Sequence, residues 1–284
     1  MSAATLLLRR ALTFALVVLS SSIVFGGLLW FAPGSKLASA DGSFVGWLAR
    51  FWLGVFTGDL GESYRGYPVS EMVWRGAGHS LPLIAGGLLL SLTVGLALAL
   101  AAGPRLRVAG RLARIGVHAL SLCPVFLLCY LAQVLFAVPP FGTGRAVAAV
   151  AILALGDGML SDVVLGIDAE LAILRRRDFV QSARLRGTSL WRHYVPHLAL
   201  PLAQIAASRM AWLIGGVLVL EWVLGIQGIG LIGYKAAGAS DFPLLVAITV
   251  FVTAVVAGSS LLVDVLRVLV DPRVRKDRRA AGRA

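Results

Sequence analysis

A chain of 284 residues that is 58% hydrophobic and only 14% charged falls outside the composition of a soluble globular domain, so much of its surface must meet lipid. Its formal charge of +12 sits largely beside apolar runs, which fits membrane topology and anionic lipid contact and argues against nucleic-acid binding. The two cysteines, Cys123 and Cys129, share one apolar run and match neither a disulfide framework nor a metal pattern.

A bilayer core of about 30 Å takes roughly 20 apolar residues per helix. Six such runs predict an all-α, polytopic membrane protein, with spans at about 11–31, 81–102, 117–138, 146–167, 198–223 and 243–263. Arg9-Arg10 before the first run and Ala38-Ser39-Ala40 after it imitate a cleaved signal. That run is longer than a signal core and ends in bulky Leu28-Leu29-Trp30-Phe31, so it reads as a retained helix. The fourth span carries Asp157 and Asp162, and the fifth Arg209 and Glu221. Charges inside a bilayer are costly and are paired or functional. Arg209 and Glu221 lie twelve residues apart, about 18 Å along one helix. They cannot pair directly, and Asp157 or Asp162 becomes the expected partner of Arg209.

Cations near membrane ends stay cytoplasmic. Nineteen of the 26 Lys and Arg residues fall before the first span, between the second and third, between the fourth and fifth, and in the tail. Both termini are therefore expected in the cytoplasm. Residues 175–201, RRRDFVQSARLRGTSLWRHYVPHLALP, form the most informative cytoplasmic connection. Small Ser182 and Ala183 on a short helix, closed by Gly187, could press into a groove on another protein; the plainer reading is a solvated basic loop. His193 and His197 are four apart, but Pro196 between them and the lack of a Glu speak against zinc.

The string GIGLIG, Gly228 to Gly233, satisfies GxGxxG. A dinucleotide site needs a preceding strand and an acid about 20 residues on. Here the connection joins two spans, and the nearest downstream acid, Asp241, follows Gly233 by eight residues. The glycines instead suit a tight, re-entrant or gate-like segment, with Gly228, Gly230 and Gly233 as outer-gate candidates.

Taken together, these blocks resemble the membrane subunit of binding-protein-dependent ABC importers of the dipeptide, oligopeptide and nickel permease family. Where that family has Glu-Ala-Ala, three residues, then Gly, this chain has Gln181-Ser182-Ala183 and Gly187. The wider form is met by Asp178-Phe179-Val180 and Ala183-Arg184-Leu185-Arg186-Gly187. Ala32-Pro33-Gly34, GDLGESY from Gly58 to Tyr64, Pro68-Val69, Pro124 with Phe126, Glu221, Asp241-Phe242-Pro243, Asp264 and Asp271-Pro272-Arg273 agree in order.

The resemblance implies one ABC transmembrane domain over residues 1–284, with a permease core at about 79–272 after an N-terminal helix and outer segment, in a bacterial inner membrane. It implies four kinds of partner: a second permease subunit, two cytoplasmic ATPases, an external substrate-binding protein and membrane lipid. Asp178, Gln181, Ser182, Ala183, Arg184, Arg186 and Gly187 would couple to the ATPases; Asp157, Asp162, Arg209 and Glu221 are translocation-path candidates. Glu221 is expected to cap or orient GIGLIG. Tyr64, Trp74, Asp59, Glu62 and Glu71 would face the binding protein or anchor the interface. The chain has no GxxxxGK[ST] stretch and binds no cofactor itself, so ATP and magnesium belong to partner subunits. An ion-coupled secondary carrier is the alternative, since it too uses intramembrane Asp and Arg. An enzyme would need convergent catalytic groups, and none of His79, His118, His193 or His197 has an obvious acid and nucleophile beside it.

Overall fold

The computed structural model describes residues 3–32, 42–100, 107–136, 142–156, 158–186 and 190–270. Eleven helices occur among them: α1 (Ala3–Trp30), α2 (Phe44–Thr57), α3 (Val69–Leu100), α4 (Arg107–Ser121), α5 (Val125–Phe136), α6 (Thr143–Leu155), α7 (Met159–Arg175), α8 (Asp178–Leu185), α9 (Leu190–Leu224), α10 (Ile229–Gly238) and α11 (Phe242–Val270). Stretches of α1, α3, α9 and α11 are each long and apolar enough to cross a membrane, and the bent pairs α4–α5 and α6–α7 bring the number to as many as six. The chain is a multi-pass, all-α membrane protein.

Two of the six expected spans are not straight helices. The third breaks by 105° between α4 and α5. Pro124 has no N–H to give and disfavours helical backbone at Cys123. The chain accordingly closes α4 with short turns, Leu122 N–H to Ala119 and Cys123 N–H to Leu120, and restarts from the Pro124 carbonyl. The fourth span bends by 52° between α6 and α7. Gly156 ends α6 in extended backbone, and Gly158 starts α7 at φ +78°, which a side chain would resist.

The chain divides into two compact units, residues 1–82 with 225–284, and residues 83–224. In the first, α1 lies along α11, and α2 and α10 each pack on one of that pair. Residues 44–57, part of the expected outer segment, form an amphipathic helix too short to cross a bilayer. Ser43 caps its start by accepting from Gly46 N–H at 3.2 Å, and Gly58 at φ +82° ends it. Its aromatic face meets α1: Trp30, Phe44, Trp47 and Phe51 form a chain of rings with centroids 5.7–6.4 Å apart. Trp52 adds a hydrogen bond from its indole N–H to the buried Ser22 Oγ, 3.1 Å.

The second unit is packed around α7, whose Val163, Val164, Ile167 and Leu171 are almost wholly buried. Glycines allow close approach. A Cβ on Gly95 of α3 would stand 2.5 Å from Val163 Cγ1, one on Gly87 2.9 Å from Leu153, and one on Gly166 of α7 2.7 Å from Ile205 of α9. Small residues at helix contacts are how membrane helices gain van der Waals contact without a hydrophobic drive between them.

Candidate functional site

Among the described residues, the helices of the second unit carry the cross-helix ion pairs Arg209–Asp162 and Arg114–Asp168. Arg209 of α9 places Nη1 2.6 Å from Asp162 Oδ2 of α7, each side chain about one-third exposed or less. Of the two acids expected to meet Arg209, Asp162 does so; Asp157 lies outside the described residues. Asp162 is set in the first turn of α7, where its N–H donates to the Gly158 carbonyl. A carboxylate there also complements the helix N-terminus.

The second pair was not foreseen. Arg114, counted in the sequence as a cytoplasmic loop cation, lies on α4 and grips Asp168 of α7 with two nitrogens, at 2.7 and 3.2 Å. Its Nη2 also donates to the carbonyls of Leu98 and Ala99 in the last turn of α3, at 3.2 and 3.4 Å. One guanidinium thus joins three helices with the planar fork that lysine lacks. One turn further along α4, His118 Nδ1 hydrogen-bonds Ser161 of α7. The spacing of Arg114 and His118 is the only sequence signal for this, since 54 residues separate Arg114 from Asp168.

The expected coupling segment forms α8, beginning at Asp178. Its Val180 is fully buried, and the helix packs on α7 and α9, which carry the Asp162–Arg209 pair. Ser182, Leu185 and Arg186 are exposed. Ser182 Oγ donates to the Asp178 carbonyl at 2.9 Å, and Arg186 Nε donates to the Ser182 carbonyl at 3.2 Å, so polar side chains brace the helix internally. Gln181, Ala183 and Arg184 contribute backbone to α8; Gly187 lies outside the described residues.

In the first unit GIGLIG opens α10. Gly228 is the N-cap and has no side chain to cap with. Ser80 of α3 performs that task, its Oγ accepting from Ile229 N–H at 2.8 Å. Gly230 is buried in the first turn, and Gly233 faces Ile248 of α11. Gly76 of α3 admits this helix start, because a Cβ there would lie 2.9 Å from Ile232 and 3.1 Å from the Ile229 nitrogen. Glu221, near the end of α9, is completely buried.

A second hub fixes the GESY stretch. Asp241, 2% exposed, accepts from Ser63 Oγ at 2.5 Å and from Tyr64 N–H at 3.3 Å. Ser63 in turn closes its own loop through Tyr67 and Gly66. The Tyr64 ring stands edge-on to Phe242, 6.2 Å between centroids, and the largely exposed Trp74 stands edge-on to Phe251.

Residues 91–276 match the family described as binding-protein-dependent transport system inner membrane component. The chain is 26% identical over 234 residues to a dipeptide transport system permease protein of Lactococcus lactis subsp. cremoris, covering 78% of this chain and 77% of that one. Over 102 residues it is 29% identical to a probable peptide ABC transporter permease protein of Sinorhizobium fredii, which covers 34% of this chain and only 33% of the relative. Over 128 residues it is 28% identical to a nickel import system permease protein of Staphylococcus aureus, 44% of this chain and 39% of that one.

Proposed function

From the premise that the chain belongs to the binding-protein-dependent transport system inner membrane components, we propose that it is one of two related permease subunits of an ATP-driven importer. It carries peptides or a metal chelate of the nickel type inward by alternating access. Two cytoplasmic ATPases, a second six-span permease and an external binding protein complete the assembly, and both termini of this chain face the cytoplasm. Its permease core runs over about residues 79–272. Relatives named for peptide and nickel transport support the cargo class. The family match does not favour an ion-coupled carrier.

The observation that carries the reading is α8: a short helix buried at Val180, exposed at Ser182 and Leu185, and seated on α7 and α9. A push on its exposed side from an ATPase passes directly to the two helices that hold Asp162 and Arg209. Closure of the ATPases then shifts the permease between two packings, and the ion pair is a contact that the two packings can hold differently. In the assembled importer Arg209 and Asp162 line the path, Glu221 orients the segment that follows α9, and Gly228, Gly230 and Gly233 let that segment act as the outer gate.

The test is to tag the chain in its native host, extract it in mild detergent and identify what accompanies it by mass spectrometry. Two ATPases and a second permease are expected, with the ATPases lost when Ala183→Trp and Gly187→Trp are introduced and the permease retained. A chain that purifies alone and still supports flux without ATP defeats the proposal.

A further inference from the structure

A groove of about 390 Å³ runs between α1 and α11 within the first unit. Phe14 and Val17 form one wall, and Val252, Val256 and Ala257 the other. At one end sit Arg10 and Asp264. Arg10 Nε lies 3.3 Å from Asp264, and Arg267 Nη1 lies 3.9 Å from the same carboxylate. Two guanidiniums therefore share one acid. The acid is 14% exposed, whereas Arg10 and Arg267 are 51% and 46% exposed. Among the described residues, two cations and one anion give this end of the groove a net positive charge.

Both walls belong to helices long and apolar enough to cross a membrane. From Asp264 to Val252 the groove covers twelve residues of α11, about 18 Å, slightly more than one leaflet of a hydrocarbon core about 30 Å thick. An apolar channel of one leaflet's depth, ending in two guanidiniums that share a single carboxylate, matches an acyl chain beneath an anionic headgroup. We propose that it holds an anionic phospholipid, with the phosphate on Arg10 and Arg267 and one acyl chain along the groove. The bound lipid extends the seam between α1 and α11. Asp264 competes with the phosphate for the same arginines and holds them in place when the lipid is absent.

The proposal is tested on the full chain, purified in mild detergent with its associated subunits and exchanged into nanodiscs of phosphatidylglycerol and phosphatidylethanolamine. Native mass spectrometry then counts retained lipid. Phosphatidylglycerol should be enriched over its share of the mixture, and Arg10→Gln combined with Arg267→Gln should lower its retention about tenfold. Ala257→Phe, which fills the groove and leaves the charges, should lower it comparably. Asp264→Asn breaks the same ion pairs but frees the arginines, and should keep or raise retention. Loss of the lipid in Asp264→Asn would make the cluster a purely structural ion pair and overturn the proposal. Equal retention of the two lipids also overturns it, and retention unchanged in Ala257→Phe means a small anion or a partner helix occupies the place instead.

Discussion

The two compact units solve the same problem, burying helices in lipid, with different chemistry. Residues 1–82 with 225–284 rely on a run of stacked and edge-on rings from Trp30 through Phe51, and on buried polar groups satisfied by neutral partners or backbone, such as Ser22 and Asp241, while the arginines of their ion pairs, Arg10 and Arg267 on Asp264 and Arg75 on Glu71, are exposed. Residues 83–224 use glycine contacts and two charged pairs, Arg114–Asp168 and Arg209–Asp162, with α8 attached to the same helices. Rings and neutral hydrogen bonds favour one fixed packing. Charged pairs at small-residue contacts can be broken and remade, and their loss is correspondingly costly. The contrast predicts where single substitutions hurt most.

The largest effect is expected at Arg114. Arg114→Ala leaves Asp168 a charge without its fork and frees the last carbonyls of α3, a loss of about 3 kcal/mol. In thermal unfolding of the detergent-purified protein the transition should drop clearly, and Arg114→Lys should recover only part of it, since an ammonium cannot span Asp168 and two carbonyls together. Full recovery by lysine would mean that charge alone matters there. Next comes Gly95→Val. The added atoms meet Val163 Cγ1 at a distance no real contact tolerates, and overpacking of this kind costs about 2 kcal/mol. Gly215→Ala in the same unit is the control: a Cβ there meets open space, and the unfolding midpoint should hardly move.

Sequence was most informative where the signal is local and periodic. The long apolar helices followed from hydrophobic runs set against bilayer thickness, and α8 began at Asp178, where the start of its motif placed it. The bends at Pro124 and at Gly156 and Gly158 had their causes in plain view, yet a hydropathy run is blind to direction, so each broken pair read as one span. The helix at Phe44–Thr57 gives no span signal, because Arg50 interrupts its apolar run and its length falls short of a bilayer crossing. Its aromatic spacing, Phe44, Trp47 and Phe51, was the helical signal. Pairing was the least legible. Arg209 could be matched to the fourth span by elimination, whereas Arg114 and Asp168, or Ser63 and Asp241, meet only because the chain returns across many residues.

The smallest effect should come from the aromatic unit. Trp52→Phe keeps a ring between Phe51 and Phe56 and removes only the indole donor to Ser22. Ser22 Oγ still donates to the Leu19 carbonyl at 2.7 Å, so no buried donor is orphaned. A neutral hydrogen bond lost without leaving an unsatisfied partner costs about 0.5–1 kcal/mol. The expected shift in unfolding midpoint is therefore well below that of Arg114→Ala, with transport unchanged. Should Trp52→Phe instead match Arg114→Ala, a neutral bond would be holding the first unit as tightly as charge holds the second, and the division of labour between the two units would be wrong.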